Sequence, residues 1–153
     1  MGKLVNITTA LHESTNRDFL ARMVDDKVHC MKLAKQYGKD YWDGDRRYGY
    51  GGYKYMPGRW KPVAEELIKI YNLKSDSKVL DIGCGKGYLL HEMKLLIPDL
   101  DIVGIDSSDY GLENAKEEIK PFIHKHKAEV KLPYKDKEFD LVISLGTFHN
   151  LRL

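Results

Sequence analysis

The chain has 153 residues, with 25 Lys or Arg against 23 Asp or Glu and a formal net charge of +2. That balance excludes a whole-chain electrostatic grip on a polyanion, and 42% hydrophobic with 31% charged residues is the make-up of one ordinary globular domain with a single core. No apolar run approaches the ~20 residues of a membrane span, and Met1 to His12 carry neither the basic start nor the apolar stretch of a signal peptide, so a cytoplasmic location is expected. Cys30 and Cys84 make no disulfide framework and have no Cys or His partner at zinc spacing, so free thiols and no metal are expected.

From Ser14 to Tyr37, Phe19, Leu20, Met23, Met31 and Ala34 fall on one helical face, with Ser14 or Thr15 as cap and Gly38 beyond the end. The spacing predicts an amphipathic helix whose interior charges form a solvated face. Asp40 to Trp60 then holds five of the ten tyrosines, both tryptophans and five of the thirteen glycines. Such a composition predicts an irregular loop, either facing a ligand with its aromatics or packing them onto the domain. Arg46, Arg47, Lys54 and Arg59 interleave with these rings as in a single-stranded nucleic-acid platform, but Asp40, Asp43 and Asp45 cancel much of the charge, which speaks against nucleic acid as a partner.

Pro62 suits a first helical turn, and Val63, Leu67, Ile70 and Tyr71 continue a helix to Asn72. Strands and helices then alternate: strand Lys78 to Ile82, helix Gly87 to Ile97, strand Asp101 to Ile105, helix Ser108 to Ile119 ended by Pro121, strand Phe122 to Lys125, and strand Asp140 to Leu145. Alternation of this kind predicts an α/β doubly wound parallel sheet with right-handed crossovers.

The chemistry centres on Val79-Leu80-Asp81-Ile82-Gly83-Cys84-Gly85-Lys86-Gly87, a glycine-rich turn between a strand and its helix. Glycines let the backbone approach a ligand, and the helix N-terminus beyond presents free N–H groups to an anion. A dinucleotide fingerprint needs its third glycine where Tyr88 stands; the spacing here is Asp-x-Gly-x-Gly-x-Gly. An acid before the glycines repels a pyrophosphate but suits a ligand carrying an ammonium group. The pattern therefore points to S-adenosylmethionine, with its amine toward Asp81 and its carboxylate toward the loop N–H groups. Asp106 ends the second strand some twenty residues further on, where a carboxylate accepts from both ribose hydroxyls.

Residues Lys78 to Leu151 resemble the class I S-adenosylmethionine-dependent methyltransferases, particularly the methyltransferase-11-like group: VLDIGCGKG matches their first motif, VGIDSS their second, and KAEVKLPYKDKEFDLVISLGTFHNL their third and fourth. The resemblance implies a Rossmann-like sheet of order 3-2-1-4 and a methyltransferase acting on a small molecule or a surface-sugar precursor. It implies that Asp81, Gly83 and Gly85 hold the methionine end, with Cys84 packed in the loop, and that Asp106 holds the ribose beside Ser107. Lys127, Ala128 and Glu129 would flank the adenine, and Ser144 and Leu145 would line the cofactor. Many members have an acid where Lys127 stands; a lysine cannot accept from the adenine amine, so that contact falls to backbone groups or Glu129, and Lys127 is equally a surface charge. By position and character, residues 1–60 resemble an N-terminal helix and lid, with Tyr48, Tyr50 and Tyr53 to cover the sulfonium and Arg59 to reach a carboxylate. Residues 61–153 would be the cofactor-binding domain.

Methyl transfer asks mainly for alignment and exclusion of water, with a base where the acceptor is a hydroxyl or protonated amine. His149 is the base candidate; the alternative is a loop histidine that caps a helix or packs on the cofactor. His124 and His126 alternate on a strand without a third ligand and read as surface residues. The family continues past the fourth strand, so the chain is expected to be a fragment, or else to have a homo-oligomeric or other partner covering an open edge. A binding module without turnover is the alternative function.

Overall fold

The structure, a computed structural model, describes residues 2–8 and 26–151. The stretch of the first expected helix from Ser14 to Asp25 lies outside these residues. Its described part is α1 (Lys27–Ala34), which has its own start: Asp26 leaves helical geometry and its carboxylate accepts from His29 N–H at 3.1 Å. The aromatic segment contains one short helix, α2 (Lys39–Asp43), and is otherwise irregular to Trp60. Helix α3 (Lys61–Tyr71) has Pro in its first turn and ends at Asn72, whose φ of 51° is left-handed.

A four-stranded parallel sheet follows: β1 (Lys78–Ile82), β2 (Asp101–Asp106), β3 (Ile123–Lys125) and β4 (Leu141–Ile143), in the order β3-β2-β1-β4. Strand alternation sorts its side chains. Val79, Ile102, Leu141 and Ile143 face α3 and α4 (Tyr88–Leu96), meeting Val63, Ala64, Leu67, Leu90 and Met93 in the main core. Leu80, Ile82 and Ile105 point to the other face, where Val103, Ala128, Leu132, Tyr134 and Phe139 give a thinner cover. Val142 pairs with Leu80 on that second face and is 53% exposed, so the edge strand has one buried and one open side.

Two elements are shorter than their patterns predict. Helix α5 (Asp109–Glu113) ends at Asn114, whose side-chain amide donates to Tyr110 O at 2.9 Å and turns the chain, so that Ala115 and Ile119 enter the core from turns instead of from a helix. Strand β4 stops at Ile143 because Ser144 Oγ and Thr147 Oγ1 donate to Ile82 O at 3.2 and 3.1 Å, and side chains replace the backbone ladder there.

Gly104, mid-strand in β2, marks where these layers meet. A Cβ there would lie 2.7 Å from Ile123 Cγ2, 2.8 Å from Cys84 Sγ and 2.9 Å from Leu90 Cδ1. Gly104→Ala is expected to lower the unfolding free energy by about 1–3 kcal/mol in urea denaturation, by overpacking the contact between α4, β3 and the glycine loop.

Candidate functional site

The site grows from the C-terminal ends of β1 and β2. Parallel pairing aligns these strands from Lys78 with Asp101 to Ile82 with Ile105, which leaves Asp81 and Asp106 close together at one end of the sheet. Asp81 is only 5% exposed, and among the described residues its carboxylate has no hydrogen-bond partner. Burial first, and the charge of Asp106 second, push its carboxyl up to about 7. Asp106 is better served: Oδ2 accepts from Gly85 N–H at 2.8 Å and Oδ1 from Ser108 N–H at 2.8 Å. Burial still raises its pKa, against the pull of these backbone donors.

The glycine loop uses its own N–H groups more fully than its motif implies. Gly83 and Cys84 both donate to Ile105 O, at 2.7 and 3.0 Å, and Gly85 donates to Asp106. The loop is thereby stitched to the end of β2, and these three donors are occupied within the chain. The glycines serve close approach instead. Gly83, Gly85 and Gly87 all have positive φ, a Cβ on Gly83 would collide with Thr147, and one on Gly85 would come 2.7 Å from the ring of Trp42.

Two adjoining pockets make up a cleft at this end of the sheet. Its inner part is walled by Trp42, Tyr50, Tyr53, Trp60, Asp81 and Gly85. Its outer part runs past Tyr37, Tyr41, Asp106, Ser107, Ala128 and Glu129 to Thr147 and Asn150. Trp42, Tyr50, Gly83 and Leu145 border both. Trp42 is the hinge of this wall: it is 5% exposed, stacks on Tyr50 with centroids 5.2 Å apart, and donates from Nε1 to Ser108 Oγ at 2.8 Å and Tyr37 O at 3.0 Å.

Of the residues singled out from sequence, Asp81, Gly83, Cys84, Gly85, Asp106, Ser107, Ala128, Glu129, Leu145, Tyr50 and Tyr53 line the cleft. Ser144 lies behind it on Ile82 O. Lys127 and Arg59 are exposed and line neither part, and Tyr48 packs against His29 and under Arg47 away from it. His149 belongs to a single 3-10 turn, Phe148–Asn150, whose neighbours Thr147 and Asn150 reach the outer cleft. His124 meets Tyr134 OH at 3.1 Å, and among the described residues no group of three His, Cys, Asp or Glu side chains gathers as a metal site would require. Sequence reasoning did not single out Trp42, Tyr37, Tyr41 or Thr147. Their signal was the density of aromatics before α3, which marks the segment and not the ring that docks.

A doubly wound sheet whose switch point joins two carboxylates and a glycine loop is a nucleoside-cofactor fold. The methyltransferase-domain family model matches residues 73–152, from the end of α3 through β4. A demethylmenaquinone methyltransferase of Thermotoga maritima is 31% identical over 124 residues, 81% of this chain and 51% of that protein. A ribosomal RNA small subunit methyltransferase C of Buchnera aphidicola is 31% identical over 90 residues, 55% of this chain and 25% of that protein. A Methanococcus maripaludis crystal structure, described as an S-adenosylmethionine-dependent methyltransferase, shares the fold with a TM-score of 0.51 at 24% identity, over 61% of this chain and 44% of that one. The chain belongs to the methyltransferase-domain family, in the class I S-adenosylmethionine-dependent group. It spans about half the length of the Thermotoga relative and a quarter of the Buchnera one.

The raised carboxyl of Asp81 has a consequence for stability. In the unfolded chain this group ionises near 3.8, and in the folded chain near 7, so the fold binds the extra proton between those values. Stability of the ligand-free protein is therefore expected to fall as pH rises from 5 to 7, by at most about 1.4 kcal/mol per pH unit from this group. Denaturation across that range should show a flatter profile for Asp81→Asn.

Proposed function

We propose that the cleft binds S-adenosylmethionine and that the protein transfers its methyl group to a small-molecule acceptor. The observation that supports this reading is the pairing of a buried, unpartnered carboxylate, Asp81, with Asp106 on the adjacent strand end across one cleft. Asp81 would receive the amine of the methionine end. Asp106 would accept from the ribose hydroxyls, because its carboxylate has about four lone-pair sites and the backbone N–H groups of Gly85, Ser107 and Ser108 do not use them all. Ala128 and Glu129 would flank the adenine, and the faces of Trp42, Tyr50 and Tyr53 would border the sulfonium and exclude water. Gly83, Cys84 and Gly85 would act by shape, since their N–H groups already have acceptors.

The cofactor supplies an activated methyl on sulfur, so the chain's own part is to bind, orient and keep water out. His149 in the turn after β4 is the proposed base for an acceptor that must lose a proton. A small molecule is favoured over RNA by the near-neutral charge and by a cleft walled with tyrosine and tryptophan. The relatives named above act, by their names, on demethylmenaquinone and on ribosomal RNA, so both acceptor classes belong in the assay.

Calorimetric titration with S-adenosylmethionine and, separately, NAD tests the cofactor: binding of the first and not the second is expected, and the reverse would sink the reading. Asp106→Ala should weaken S-adenosylmethionine by about 1.5–3 kcal/mol, the loss of hydrogen bonds to a charged group. Because an ammonium is held by the ionised form of Asp81, affinity should rise from pH 6 to pH 8. For a group titrating at about 7 the ionised fraction grows about tenfold over that range. Asp81→Asn should abolish that rise. Formation of S-adenosylhomocysteine from a metabolite extract, compared with total RNA, reports the acceptor class.

A further inference from the structure

The lysine of the glycine loop lines neither part of the cleft and is otherwise unexplained by cofactor binding. Lys86 is only 4% exposed, yet it is charged, and its Nζ donates to Asp43 Oδ2 at 2.7 Å, Asp43 Oδ1 at 3.0 Å and Tyr53 O at 2.8 Å. Asp43 in turn accepts from Tyr110 OH at 2.9 Å and from Tyr53 N–H at 3.0 Å. Burial alone would raise its pKa, but these donors hold the carboxyl below its usual range. One carboxylate thus ties together three places: the glycine loop after β1, the helix after β2, and the aromatic segment ahead of α3.

Asp43 is the last residue of α2 and follows Trp42, the ring that lies over Gly85 and bonds Ser108. Tyr53, held by both its N–H and its carbonyl, stands in the inner wall with Tyr50, their ring centroids 4.5 Å apart. The same ion pair therefore holds both the Trp42 and the Tyr53 parts of the aromatic wall. Such a pair, with Lys86 buried and Asp43 part-buried, adds little net stability over apolar packing, but separating it leaves Lys86 as an uncompensated charge, so separation is opposed.

We propose that Lys86 and Asp43 form a latch that holds the aromatic segment closed over the cleft, so that the cofactor enters and leaves only when this pair separates. The inference rests on the cofactor reading above. The latch acts on opening in both the empty and the filled protein, so it sets rates of exchange more than affinity. Lys86, Asp43 and Tyr110 are positioning residues here, acting through Trp42 and Tyr53.

Both tryptophans border the inner cleft, so their fluorescence reports binding of S-adenosylhomocysteine in a stopped-flow experiment. Asp43→Asn keeps the side-chain shape and removes the charge. The expected result is that association and dissociation both quicken by about tenfold while Kd stays within about threefold, as weakening of one charged contact implies. Rates within about twofold of wild type, or a rise in dissociation alone with Kd rising in step, would overturn the latch. Should Asp43→Asn not fold, Tyr110→Phe removes one bond to Asp43 and leaves both charges; about threefold faster exchange in both directions is expected, and unchanged exchange overturns it. If wild type binds no S-adenosylhomocysteine, the cofactor reading fails, and the latch is then read by trypsin cleavage after the exposed Arg46 and Arg47. Faster cleavage there in Asp43→Asn, with the sheet intact by circular dichroism, supports the latch, and equal cleavage overturns it.

Discussion

Asp81 and Asp106 end neighbouring parallel strands, and a single N–H, that of Gly85, reaches from the first strand's loop to the second strand's carboxylate at 2.8 Å. Two acids in so buried a place are costly to ionise: burial first, and the charge of Asp106 second, raise the Asp81 carboxyl, and burial raises that of Asp106. Asp106 recovers part of the loss through backbone donors, whereas Asp81 among the described residues has none. A ligand that offers a cation to one and hydroxyls to the other relieves the crowding, which ties the choice of cofactor to the electrostatics of the fold.

That crowding exists only because the sheet aligns the strands and the loop is pinned. Gly83 and Cys84 donate to Ile105, so the loop cannot drift from β2. Gly104 admits Ile123, Cys84 and Leu90 to one contact, so α4 seats closely against the strand that carries Asp106. The core between β1, α3 and α4 thus sets the spacing of the two acids.

The aromatic segment adds the wall. Trp42 stacks on Tyr50 and anchors on Ser108, and its neighbour Asp43 meets Lys86 from within the glycine motif itself. In sequence Asp43 reads as one of three acids offsetting nearby arginines, and Lys86 as a motif position open to any residue. Their pairing joins residues 43 positions apart, which no local period encodes. The same holds for Trp42 and Ser108, 66 positions apart. Tyr48 and Arg59 show the converse: they share the composition that marks the segment but turn away from the cleft, since composition does not say which ring faces inward.

The strand and helix alternation, the sheet order β3-β2-β1-β4, and the acids and glycines at the strand ends were legible from the amino-acid sequence alone. The alternation depends on apolar periodicity and turn signals, and the site on the spacing of Asp81, Gly83 and Gly85 and the place of Asp106 at a strand end, whereas the sheet order followed from the family resemblance that those motifs carry. Helix α5 and strand β4 fell short of their patterns because Asn114, Ser144 and Thr147 offered the backbone other partners. What only the tertiary structure decided is which groups remain available to a ligand. The N–H groups of Gly83, Cys84 and Gly85 have acceptors on β2, Asp81 has no donor among the described residues, and Trp42 occupies the space over Gly85, because these outcomes follow from packing between segments far apart in the chain.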